Sequence, residues 1–339
     1  MPPNIEFVGD RLWALYHQKQ VALYSQSPMG MAMESVVDSR VLGANPVLTF
    51  RHGPYSYLIK RKVKQSFYTV SDGKESLTVP ILYAFGQGKA GQTYVLQYQG
   101  ELYESRVSFY KEIAGLDFTV GTANNIPASL KEALGRRLSE DETKDCFGCH
   151  SSKSMNGGKI NLEKVIPGIR CETCHGPGAR HVAAIQSGEP GGKLIFNPRR
   201  LSSDQLSQEF CSACHRSTGD FEKMRSLQIN NVRFQPYRIF YSKCYSDDRR
   251  IGCTACHNPH EPVKEDITYY DAKCLACHAR LSKTRATAMP STQGLALSCK
   301  VGTKDCVSCH MQKIGPPQTH FKFTDHYIRI VKSRAAYPN

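Results

Sequence analysis

Several features are scarce in this sequence, and each scarcity closes off a class of protein. No stretch approaches the ~18 consecutive apolar residues that a membrane-spanning helix needs. Tryptophan occurs once in 339 residues. No segment recurs at a fixed period, which excludes a solenoid. No recognised nucleic-acid motif accompanies the formal charge of +14, so the charge alone does not indicate a nucleic-acid partner. No apolar h-region follows the opening Met-Pro-Pro-Asn, where Glu6, Asp10 and Arg11 come early; an export signal is expected to be absent from this numbering. With 40% hydrophobic and 22% charged residues, the composition is that of a globular chain. The length is a soft prior for two domains.

Cysteine and histidine, by contrast, are abundant, with 14 Cys and 12 His. Twelve of the Cys fall into six pentapeptides of the form C-x-x-C-H. They are Cys146, Cys149 and His150; Cys171, Cys174 and His175; Cys211, Cys214 and His215; Cys253, Cys256 and His257; Cys274, Cys277 and His278; Cys306, Cys309 and His310. This is the attachment sequence of c-type haem. Each thiol adds to one vinyl group, and two intervening residues let both sulfurs reach one edge of the porphyrin. The His that follows then sits under the iron. Zinc ribbons do not require a His after every second Cys. Iron–sulfur sites want a third Cys at short spacing, and a disulfide framework suits much smaller chains. Six covalent haems are therefore expected. Their twelve propionates would bring the formal +14 down to about +2 before the irons are counted.

Six His lie outside the motifs: His17, His52, His181, His260, His320 and His326. A low-spin haem needs a second axial ligand, so six spare His for six irons fits bis-His ligation. His260 lies three residues after His257 and His181 six after His175. Neither can wrap around the macrocycle to its own haem, so each is expected to serve a different one.

The chain divides near Cys146. Residues 1–145 form an N-terminal region and 146–339 the haem-bearing domain. Within 46–110, VLTFR, YSYLIKRK, TVPILYAF, QTYVLQYQ and ELYESRVSFY alternate with turn-like HGP, SDGKE, GQGKAGQ and QGE. They predict an antiparallel β-meander of about five strands. Gly86-Gln-Gly88-Lys-Ala-Gly91 matches G-x-G-x-x-G, but a strand-like run follows it, so it reads as a hairpin turn. Residues 128–145 read as a connecting helix. Beyond Cys146, the segments between motifs are Gly- and Pro-rich, with short helices at the motifs, as at Asp271–Arg280. The fold class is α+β with much irregular structure.

The phrases CETCHGPGARHV, SKCYSDDRRIGCTACHNPH and CVSCHMQK followed by HFKFTDHYI resemble the multihaem c-type cytochromes related to cytochrome c-554. They are most similar to the hexahaem group often associated with tetratricopeptide-repeat proteins. The resemblance implies electron transfer through stacked haems, with His181, His260, His320 and His326 as distal ligands. With the spare-His count, the expected distal set is these four and His52. Similar proteins begin with a VGS-x-x-CxxCH phrase; here VGDRLWALYH carries Trp13 and Tyr16 at the two Cys positions and keeps His17. Relatives also carry a possible axial ligand at the end of the phrase that here reads YSQSPMG, which maps to Met29. The sixth distal ligand stays open between His17 and Met29. Cys244 and Cys299 lie outside the motifs; relatives often carry Cys in both places, and left-over Cys in an oxidising compartment tend to pair.

Three functions compete. The first is an electron carrier with redox-protein donors and acceptors, placed in the periplasm or outside the cell. The second is an oxidoreductase acting on a small nitrogen or sulfur compound. The third is a haem subunit of a membrane-associated complex, homo-oligomer or filament. An enzyme needs an open iron position with acid–base groups beside it. The spare His and the absence of C-x-x-C-K favour transfer over catalysis, so no catalytic residue is assigned.

Overall fold

Period-two alternation organises the first third of the chain. The strands are β1 (Met33–Ser35), β2 (Val47–His52), β3 (Tyr55–Lys62), β4 (Gln65–Ser71), β5 (Ser76–Phe85), β6 (Thr93–Tyr98), β7 (Glu101–Ser105), β8 (Val107–Tyr110), β9 (Gly115–Phe118) and β10 (Gly135–Arg137). Along β3, Tyr55, Tyr57 and Ile59 turn inward; along β4, Tyr68 and Val70 do. This is the pattern of a sheet with one buried face. The computed structural model describes residues 6–156, 159–246, 251–284, 302, 304–332 and 337–338. Its main sheet is antiparallel with eight strands, ordered β10-β7-β6-β5-β4-β3-β2. β1 pairs with the far end of β5, Met33 opposite Phe85. β8 and β9 form a separate hairpin.

The sheet is larger than the expected meander of about five strands. QSFYTVS, β4, was not among the expected strands, although its Tyr68 and Val70 are fully buried. ELYESRVSFY divides at Arg106, whose N–H leaves the sheet to donate to Leu134. The expected helix over 128–145 is corrected to two helices, Leu130–Leu134 and Glu140–His150, separated by β10. The cause is Gly135. Its φ of 142° is open to glycine, and a Cβ there would lie 2.0 Å from the Glu104 carbonyl. That close approach lets the chain pair with β7 before helix resumes at a Ser139/Glu142 capping box. The segment Gly86 to Gly91 is a turn between β5 and β6, with positive φ at Gly86, Gly88 and Gly91.

The chain packs into two compact units. The first comprises Met1–Pro198, His260–Pro262 and Gly315–Phe321; the second comprises Arg199–Pro259, Val263–Ile314 and Lys322–Asn339. This division is by packing, whereas the 145/146 boundary of the sequence is by cofactor attachment. The first unit holds the main apolar core on the β3–β6 face and a smaller cluster of Met33, Phe85, Val95, Leu138 and Phe147. The second is built of short helices and turns, and its largest fully buried side chain is charged: Arg238 grips Asp325 bidentately, Nε to Oδ1 at 2.9 Å and Nη2 to Oδ2 at 3.1 Å. Among the described residues, no helix is long and apolar enough to cross a membrane.

Candidate haem centres

All six C-x-x-C-H pentapeptides lie on or at the end of helices, five of them short. Their helices are Glu140–His150, Cys171–His175, Ser212–His215, Cys253–Cys256, Ile267–Thr284 and Cys306–His310. Residues three and four apart share a helix face, so one turn gathers both thiols and the imidazole on one side. No three His, Cys, Asp or Glu converge as a metal cage among the described residues; the donors are arranged one motif at a time.

In the first unit, Phe147 of CFGCH docks its helix on the sheet. It is fully buried, edge-on to Tyr83 at 5.3 Å and Phe85 at 5.2 Å. Glu172 of CETCH, also buried, accepts N–H bonds from Val8 and Gly9 at 2.9 Å and from Gly178 at 2.7 Å. It thereby fastens the N-terminal segment to the second motif. In the second unit, Asp271 accepts from the Asp305 N–H at 2.6 Å and the Cys306 N–H at 2.8 Å, tying the fifth motif's helix to the start of the sixth. Arg329 joins Arg238 on Asp325, at 2.7 Å, and this buried cluster fixes the residue just before His326.

One device recurs at the imidazoles. Nδ1 lies on a backbone carbonyl oxygen in His150 (Ala32, 2.9 Å), His175 (Phe196, 3.0 Å) and His310 (Arg329, 3.0 Å). The same holds for His181 (Gly191, 2.9 Å) and His326 (Thr324, 3.0 Å). A carbonyl can only accept, so Nδ1 carries the proton and Nε2 is the bare nitrogen, ready to bind a metal. Three motif His and two non-motif His thus present the same tautomer. The residues present fit haem c.

Ring geometry pairs some of these groups. A metal–imidazole bond is about 2 Å long, so two imidazoles facing each other through one metal hold their centroids about 6 Å apart. His175 and His260 are 5.8 Å apart with planes 11° from parallel. His257 and His326 are 6.2 Å apart at 41°. His17 and His181 are 6.1 Å apart at 13°. His260 therefore faces the second motif's His and not its neighbour His257, in keeping with its short reach. His181 faces His17, which is not a motif His.

The other expected ligands are placed differently. His320 gives Nε2 to Asp117 Oδ2 at 2.7 Å. His52, at the end of β2, is exposed and edge-on to Phe118 at 4.9 Å. The Met29 carbonyl accepts from Ile169 at 3.0 Å, which holds its loop beside the strand leading to the second motif. His215 lies close enough to His326 to act on its charge. His278 is exposed on its helix. Cys244 lies in the Lys243–Ser246 helix, and Cys299 falls outside the described residues.

Electrostatics favour neutral rings, the form that ligates metal. Desolvation lowers the pKa of His150 and His257. His326 is pushed down to about 4, first by desolvation and then by His257. Desolvation followed by neighbouring imidazoles lowers His17 and His260. Burial raises six motif thiols, Cys146 to about 11 and Cys171 to about 12 among them. Cys253 goes the other way, to about 6, first through a hydrogen bond with Cys211. That contact brings the third and fourth motifs together, as a Cys274–Cys306 hydrogen bond does the fifth and sixth.

Phe147, Glu172, Asp271 and Asp325 were not singled out from the sequence. Phe147 and Glu172 are the variable x positions of their motifs, where the attachment chemistry demands nothing.

Known proteins resemble parts of this chain. A family profile for cytochrome c554 and c-prime matches residues 119–176, and one for cytochrome c3 matches residues 245–319. The multiheme cytochrome MtrA of Shewanella baltica (strain OS185) is 20% identical over 228 residues, 57% of this chain and 62% of that protein. The chain therefore spans less than two thirds of that relative. The crystal structure of the outer cell wall cytochrome OcwA superposes with a TM-score of 0.52 at 15% identity, over 96% of this chain and 80% of that one; this likeness bears on the fold. A 75-residue stretch is 29% identical to activating transcription factor 7-interacting protein 2 of Homo sapiens, covering 22% of this chain and 11% of that protein, too little to bear on function. These matches support a multihaem c-type cytochrome family for this chain. Haem c is its cofactor class, and electron transfer is the chemistry the family supports.

Proposed function

We propose that this cytochrome is an electron conduit with six covalent haems, the attachment region beginning at Cys146 and running through 146–339. The observation that carries the reading is the pairing of imidazoles about 6 Å apart with Nδ1 held on backbone oxygens. His175 and His260 would serve one iron, and His257 and His326 another. His52, His320 and Met29 are the proposed distal donors among the remaining irons. Ligation by His320 through Nδ1 would keep its Asp117 contact, which then orients the ring; ligation through Nε2 would break it. Two nitrogen ligands keep the iron geometry alike in both oxidation states, which lowers the reorganisation on transfer. The haem supplies the redox change, while the chain orients the ligands, keeps them neutral and brings motifs together in pairs.

The proposed location is outside the cytoplasmic membrane, where c-type haem is normally attached. The proposed partners are redox proteins that donate and accept electrons. Cys244 and Cys299 are proposed to form a disulfide; alkylation of both residues in unreduced, denatured protein would refute it.

A second reading has one observation in its favour. With His17 and His181 facing each other, four non-motif His remain for six irons, so an iron can lack a His partner. That would suit an oxidoreductase acting on a small nitrogen or sulfur compound. Carbon monoxide binding together with turnover separates the two. With five distal donors for six irons, the conduit reading expects carbon monoxide at one haem at most and no substrate turnover. A stoichiometric complex at one haem, with turnover of nitrite or hydroxylamine, would overturn it.

A further inference from the structure

The N-terminal phrase VGDRLWALYH belongs to none of the six attachment sites. Its helix, Asp10–Tyr16, carries Trp13 and Tyr16 where C-x-x-C-H would carry Cys, and His17 follows in the His position. His17 faces His181 with the separation and near-parallel planes that His175 and His260 show. An iron has only two axial positions. If His17 and His181 took both, no motif His could bind that iron, so the pair does not frame any of the six covalent haems.

Trp13 stands beside the pair. Its ring centroid lies 5.6 Å from His17 and 5.7 Å from His181, against 6.1 Å between the two imidazoles. It is therefore off the line that joins them, but its centroid is equidistant from both, on the level where the rim of a macrocycle bridging them would lie. The indole is 7% exposed and its Nε1 has no hydrogen-bond partner. Its benzene edge presses on Gly178, where a Cβ would come within 3.1 Å. The segment is held there by the Val8 and Gly9 N–H bonds to Glu172, which also accepts from Gly178. The helix is thus docked as an attachment helix would be, with an indole in place of a thioether.

We propose that Trp13 plugs a seventh haem position. His17 and His181 are its two axial groups, and the ligand class it would take is an iron porphyrin. The plug leaves the haem on His175 without a redox neighbour on this side, since the His175 ring lies 6.1 Å from the indole. The proposal rests on the haem reading above.

The test rebuilds the motif. The double variant Trp13→Cys, Tyr16→Cys, matured in a host that attaches c-type haem, should gain one covalent haem over wild type by intact mass. It should also gain one bis-His low-spin signal, lost again on adding His181→Ala. If the Cys pair prevents maturation, Trp13→Gly in otherwise mature protein should take up one equivalent of haemin with a low-spin spectrum. Wild type and Trp13→Gly, His181→Ala should not. A folded variant that gains no haem in either experiment overturns the plug, as does wild type holding an extra, acid-extractable haem. A wild-type count of four or fewer sinks the six-haem reading, whereas a gain of one over the wild-type count still supports the plug.

Discussion

Five imidazoles in this chain owe their tautomer to a backbone carbonyl on Nδ1. A carbonyl that orients a ring also makes it a better base toward iron. His326 depends on this most, because its neighbour Asp325 is locked by Arg238 and Arg329. His326→Ala should remove one axial ligand without touching attachment. The expected result is an unchanged covalent haem count with one new high-spin iron that binds carbon monoxide; an unchanged spectrum would deny His326 its role. At this scale the C-x-x-C-H pentapeptides were legible from spacing alone, because that pattern is local. The ring that faces each imidazole was not. His175 faces a residue 85 positions away, and no sequence periodicity encodes that contact. The place of His17 opposite His181 was invisible for the same reason.

Every attachment helix but Ile267–Thr284, which has 18 residues, is too short to be stable alone, so something must hold it. For the first motif the holder is Phe147, wedged between Tyr83 and Phe85. Phe147→Ala removes a fully buried aromatic and should cost about 3–5 kcal/mol. The measurement is a denaturant midpoint on the haem-loaded protein; a loss under about 1 kcal/mol would mean that the thioethers, not the sheet, hold this helix. The strands were legible where aromatic and β-branched residues dominate, as in β3 and β6. β4 was missed: Gln65, Ser66, Thr69 and Ser71 make most of QSFYTVS polar. The helix before the first motif was read as continuous because Leu130–Leu134 and Glu140–His150 share helical composition. Gly135 breaks it through a backbone approach to β7 that composition does not reveal.

Apolar packing is unevenly shared across the whole molecule. Both apolar clusters lie in the first unit, from Met33 to Val165, while the second unit buries an ion pair and a handful of apolar side chains. Burial of apolar surface must offset chain entropy, and the first unit can do this from its own residues. In the second, four haem macrocycles would supply the missing apolar surface. Haem-free chain should therefore keep slow amide exchange in β3–β6 and exchange freely through residues 199–314. Slow exchange throughout that range would show a polypeptide core sufficient without haem. The N-terminal sheet followed by a helical haem region was legible in the sequence, as was the cytochrome family. The assignment of His260–Pro262 and Gly315–Phe321 to the first unit was not, since chain order alone does not set packing.

The most direct test of the account is the intact mass of the fully matured protein. Six covalent haems predict a mass above 37.9 kDa by six haem units, after correction for any terminal processing. A covalently loaded count of four or fewer would contradict it.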